Sequence, residues 1–120
     1  MQAYKIMHGL WGMGQMMFTK YLIVVDDECL RTATNMHNTS EVLFRLCANT
    51  DPQRDSIFTK GPADVLDHAT SEIAMGTKLG IDATRKLAGE GFKRPWPPLI
   101  TMSAEVRRRI DALGGSDSLK

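Results

Sequence analysis

Phe18-Thr19-Lys20-Tyr21-Leu22-Ile23-Val24-Val25-Asp26-Asp27-Glu28 is the stretch from which the fold is read. Tyr21 to Val25 are apolar without interruption, which predicts a strand covered on both faces, as in the parallel sheets of α/β proteins. One cation, Lys20, precedes the strand, and three carboxylates, Asp26, Asp27 and Glu28, follow it. At about 3.3 Å per residue, Lys20 and Asp26 lie roughly 20 Å apart. They therefore belong to different sites at opposite ends of the sheet.

Working outward, Asn38 with Glu41 three residues on forms a helix start of the capping-box kind. Val42, Leu43, Leu46 and Cys47 would give that helix an apolar face, and Thr50-Asp51-Pro52 would end it. Ser56 to Thr59 reads as a second strand and Gly61-Pro62 as punctuation. Strand, helix and strand in this order predict a parallel pair with a right-handed crossover. Thr77 to Thr84 alternates, with Leu79, Ile81 and Ala83 on one side and Lys78, Gly80, Asp82 and Thr84 on the other. It is expected to be a half-buried strand, with Gly80 allowing another backbone or a ligand to approach. The fold class is thus α/β: a small, mostly parallel sheet with a βαβ unit, flanking helices and a C-terminal helix. That last helix would start near Ser103, gather Val106, Ile110 and Leu113 on one face, and stop at Gly114-Gly115.

The ends are less regular. Residues 1–17 carry five methionines and Trp11 among Gly9, Gly12 and Gly14, a segment shaped by what it packs against. Gly89 to Leu99 is expected to strap across the surface with Trp96 as an anchor. One domain over 1–115 follows, with 116–120 as a disordered tail.

Composition narrows the function. At 42% hydrophobic and 24% charged residues the chain is an ordinary globular protein. A formal charge of +1 provides no field for nucleic acid, and Arg107-Arg108-Arg109 reads as the wet face of a helix. No run approaches the roughly 18 apolar residues of a membrane span, and no export signal is visible. Cys29 and Cys47 lack CxxC spacing and are expected to be packed thiols in a reducing compartment, hence a cytoplasmic protein.

Candidate chemistry is sparse. Asp26 and Glu28, two apart on a strand, could share a metal ion, or they could be a solvated strand end. His8, His37 and His68 show no ligand spacing, and no nucleophile, Walker or dinucleotide motif is present. Paired acids after a first strand also suggest a phosphoacceptor receiver, with Asp67 phosphorylated and Lys93 as its lysine. The stretch between those two residues is too short for the intervening βα units.

Five segments in order resemble the C-terminal domain of the UbiD-type decarboxylases, the 3-polyprenyl-4-hydroxybenzoate carboxy-lyase family. They are MFTKYLIVVDDE (17–28), NTSEVLFRL (38–46), DPQRD (51–55), GPADVLDHA (61–69) and GTKLGIDAT (76–84). The resemblance implies decarboxylation of an aromatic or α,β-unsaturated acid, often in quinone biosynthesis, with prenylated FMN and a divalent metal (Mn2+ or Mg2+). It also implies that the catalytic and metal-binding groups lie in an upstream flavin-binding domain, so that this chain alone would hold neither cofactor nor activity. Further implied partners are a homo-oligomer and a flavin prenyltransferase as cofactor supplier. By the same resemblance Lys20 approaches the flavin phosphate, its alternative being a lysine whose head stays in water. Asp64, Val65 and Leu66 would face the substrate cleft, with no decision as to which side chain points inward. The segment around Lys78, Gly80 and Asp82 would hold that loop and strand in place. The residues between Glu28 and Asn38 are more numerous than the family's short link. An assembly module without catalysis is the competing class of function.

Overall fold

The computed structural model describes residues 2–26, 38–98 and 100–114. Helix α1 (Gln2–Trp11) leads through a 3₁₀ turn (Gly14–Phe18) into β1 (Tyr21–Val24). Then follow α2 (Thr39–Asn49), the single turn α3 (Pro52–Asp55), β2 (Ser56–Pro62), β3 (Met75–Asp82) and α4 (Ala104–Ala112). The tail and the segment from Asp27 to His37, including Glu28, Cys29 and His37, lie outside the described residues.

The α/β class holds, but the sheet is mixed. Its order is β1-β3-β2, with β1 parallel to β3 and β2 antiparallel to it. The expected parallel pairing of the first two strands is therefore wrong. β2 returns directly into β3 through the 63–74 loop, closed by Ala63 N–H donating to Ala74 O at 3.0 Å. β3 thereby takes the central place and leaves β1 and β2 as edges. Ala74 turns this loop with a φ of 62°, a left-handed conformation uncommon outside glycine.

The register decides which face is covered. Leu22, Gly80 and Ile57 lie side by side on one face, and Tyr21, Leu79 and Phe58 on the other. Helix α1 packs on the first. Met7 is fully buried, and a Cβ added to Gly80 would sit 2.5 Å from its Sδ and 2.9 Å from the Trp11 ring. What approaches Gly80 is neither a backbone nor a ligand but the Met7 and Trp11 side chains of α1. Strand β3 is half-buried as expected, and its covered side is the polar one, Lys78, Gly80 and Asp82. Tyr21 (67% exposed), Ile23 and Phe58 (70%) lie bare on the opposite face. So β1 is not covered on both sides within this chain.

Buried polar groups replace much of the missing apolar core. Lys86 Nζ lies 3.2 Å from Asp82 Oδ1, 3.4 Å from Asp55 Oδ1 and 2.8 Å from the Asp82 carbonyl it donates to. Arg54 donates to both oxygens of Asp55. Burial opposes ionisation of Asp55, but Arg54, the Asp51 N–H and Lys86 outweigh it and hold the carboxyl below the usual range.

Helix α2 starts as the sequence predicts, with Asn38 Oδ1 accepting from Glu41 N–H. Its buried face differs: Arg45 and Asn49 are buried, while Leu43, Phe44 and Cys47 are exposed. Cys47 is therefore not a packed thiol. Arg45 is neutralised by Glu41 at 3.0 Å, and Asn49 Nδ2 donates to the Ala83 carbonyl, which fixes the helix to the end of β3. Asp51-Pro52, read as a stop, also caps a new turn: Asp51 accepts from Gln53 N–H and Pro52 sits in the first turn.

In the 89–98 strap Trp96 packs edge to face on Phe92 of the same segment at 5.0 Å, and the contact to the body runs through Phe92, whose ring lies under Arg54. Helix α4 begins at the Ser103 cap and ends before Gly114 (φ 74°). All its residues are exposed, Val106, Ile110 and Leu113 among them. Among the described residues no helix is long and apolar enough to cross a membrane.

Candidate functional site

Because β1 runs parallel to β3, Lys20 arrives where β3 begins and where the 63–74 loop ends. Leu79 N–H donates to the Lys20 carbonyl at 2.9 Å and fixes the backbone there. The Lys20 ammonium lies 2.5 Å from Asp67 Oδ2, with the lysine side chain about one-third exposed. The hydrogen bond from Lys20 holds the Asp67 carboxyl below the usual carboxylate range. Lys20 is thus paired at the surface, neither buried in the core nor waving in water.

Beside it opens a cavity of about 520 Å3, lined by Lys20, Lys60, Glu72, Thr70, Ser71 and Thr77 among others. Lys20 and Lys60, with Ser71 and Thr77, are residue types that donate to an anion such as a phosphate, whereas the Thr70 hydroxyl is already given to the carbonyls of Asp67 and Glu72. Tyr21, Lys60 and Thr77 belong to the bare face of the sheet, so the cavity opens on the side that α1 does not cover. Asp64 Oδ1 accepts from Leu66 N–H at 2.8 Å and shapes the loop tip, where Val65 (72% exposed) and Leu66 (84%) project. The structure therefore gathers Lys20 and the 64–67 loop into one end of the molecule.

The acidic end is separate. Asp26 Oδ2 accepts from Arg85 N–H at 3.0 Å, beyond the opposite end of β1. Glu28, its proposed co-ligand, lies outside the described residues. Among the described residues no three His, Cys, Asp or Glu side chains converge as a metal site. The receiver reading fails on geometry: Asp67 pairs with a lysine at the start of β1, whereas that reading requires it beside the acids at the end.

Two features escaped the sequence reading. Lys60 was passed over although it lies two residues from Phe58, the spacing that puts both on one strand face. The second is Asp67, which nothing local in the sequence marks as the partner of Lys20.

Comparison with known proteins is consistent with this geometry. A protein of Aquifex aeolicus is 46% identical over 111 residues, covering 92% of this chain and 22% of that protein. One from Archaeoglobus fulgidus is 41% identical over 113 residues, again 22% of its length. The chain thus spans about a fifth of the curated relatives it matches. Among solved structures, the closed form of the Sedimentibacter hydroxybenzoicus vanillic acid decarboxylase superposes with a TM-score of 0.74 at 25% identity. It covers 93% of this chain and 23% of that one. The UbiD-class enzyme HmfF from Pelotomaculum thermopropionicum, solved in complex with FMN, gives 0.59 at 27% identity, covering 81% of this chain and 21% of that one. The family model for the 3-octaprenyl-4-hydroxybenzoate carboxy-lyase C-terminal domain matches residues 1–83, from α1 to the end of the sheet, and the chain belongs to that family.

Proposed function

We propose that this domain serves a UbiD-type decarboxylase by presenting Lys20 to the phosphate of a flavin held in an upstream domain. The observation that carries the reading is Lys20 lining a cavity with Lys60, Ser71 and Thr77, on the uncovered side of the sheet. Such donors fit a phosphate, and a cation held by a strand end loses little freedom on binding one. The flavin, as prenylated FMN with Mn2+ or Mg2+, would supply the decarboxylation chemistry, and its metal would be held by the neighbouring domain. The chain's own residues bind and orient: Lys20 and Lys60 at the phosphate, Asp64, Val65 and Leu66 at the cleft where an aromatic or α,β-unsaturated acid would enter. The bare row of Tyr21, Ile23 and Phe58 supports a neighbour on that face. The reading includes a cytoplasmic protein in quinone-related metabolism, a homo-oligomer supplied by a flavin prenyltransferase, and no activity for this domain by itself.

The test is Lys20→Ala in the full-length protein that carries the domain, titrated with FMN and with riboflavin. Loss of one charge-assisted contact, about 1.5–3 kcal/mol, weakens FMN about 10- to 150-fold and leaves riboflavin unchanged. Equal FMN affinity in wild type and variant would remove Lys20 from the cofactor site. An assembly role is compatible with this one and is favoured by the exposed apolar face of α4.

A further inference from the structure

Lys78 is the least expected residue of the covered sheet face: a lysine 4% exposed, on the central strand, whose ammonium meets no carboxylate among the described residues. Its Nζ donates to the carbonyls of Met17, at 2.5 Å, and Thr19, at 3.3 Å. Burial pushes its pKa down, so the charge is held there against desolvation. The sheet makes room for it. Gly61, on the neighbouring strand, has no side chain, and a Cβ there would press to 3.2 Å on the Lys78 Cε. The Thr19 carbonyl receives a second donor, Trp11 Nε1 at 3.0 Å, and Trp11 reaches it across the space left by Gly80. On the other side of the next residue, Leu79 N–H holds the Lys20 carbonyl.

The backbone on both sides of Lys20 is therefore pinned, by Lys78 and Trp11 before it and by Leu79 after it. A purely apolar filler would satisfy the packing under α1, but it could not hold two carbonyls of an irregular segment away from water. We infer that Lys78 is a positioning residue: it fixes the Met17–Thr19 segment so that the Lys20 ammonium is held ready for an anion at the cavity beside it. The inference deepens the reading of Lys20 as a phosphate contact and rests on it.

The experiment uses the full-length protein carrying this domain, with FMN and riboflavin as paired probes. Lys78→Met keeps the straight stem and drops the ammonium. It is expected to weaken FMN about 5-fold, the effect of one hydrogen bond's worth of misplacement, while riboflavin stays unchanged. Combined with Lys20→Ala, it is expected to add nothing to the FMN loss of Lys20→Ala alone. Trp11→Phe, which keeps the ring and removes the donor to Thr19, gives the same selective loss on a smaller scale and decides the matter should Lys78→Met fail to fold. FMN affinity unchanged in the folded variants, or FMN and riboflavin falling together, overturns the inference. A flat response to Lys20→Ala sinks the phosphate reading and this inference with it, whereas a fall there with none in Lys78→Met or Trp11→Phe sinks the positioning role alone.

Discussion

At the scale of residues, two positions carry more of the fold than their types suggest. Gly80 is where α1 meets the sheet, and its hydrogen stands where Met7 and Trp11 need space. Gly80→Ala overfills that contact and should destabilise the chain by about 1–3 kcal/mol in urea unfolding. Asp55 sits buried between Arg54 and Lys86. Asp55→Asn leaves Lys86 with Asp82 but breaks the ionic cluster, a loss of about 3 kcal/mol at neutral pH. Because the folded state holds this carboxyl below the usual range, its contribution is complete above the unfolded value, about 4, and fades as pH falls through the lowered one. Unfolding midpoints of wild type and Asp55→Asn should therefore converge in acid. A gap that persists undiminished at the lowest pH would mean that ionisation is not what stabilises the site.

At the scale of elements, the sequence announced helices and strands better than it announced their partners. The Asn38 cap was legible because a short side chain before a helical period has one local use, and Asn38→Ala should lower stability by about 1 kcal/mol. Tyr21 to Val25 was legible as a strand, and so was the position of β3. Which face of each was covered was not. Alternation in β3 places Leu79 and Ile81 opposite Lys78 and Asp82, and the usual assumption buries the apolar set. Here α1 covers the polar set, where Lys78 and Asp82 find partners in Met17, Thr19, Thr84 and Lys86, while Leu79 and Ile81 stay only half-buried. The same inversion occurs in α2, where Arg45 is buried with Glu41 as its partner and Leu43 stays outside. Polar burial depends on partners distant in sequence, and these are invisible to a local pattern. The end-to-end separation of Lys20 from the acids was legible, since strand rise alone fixes it, whereas the Lys20–Asp67 pair was not.

At the scale of the whole molecule, the chain is more open than its length requires. Its radius of gyration is 18.9 Å, where a compact domain of 120 residues has roughly 14 Å. The bare sheet face and the unpacked α4 account for apolar surface that a self-sufficient fold would have covered. The isolated chain is expected to self-associate in sedimentation, with association reduced when Phe58→Lys and Ile110→Lys remove apolar area from the two surfaces. A monomer at all concentrations would show that these faces need no cover.

The most direct test is a structure of the full-length protein with FMN bound. The account predicts the Lys20 ammonium about 2.8 Å from a phosphate oxygen, at the cavity it shares with Lys60. A phosphate bound elsewhere, with Lys20 still held by Asp67 alone, would contradict it.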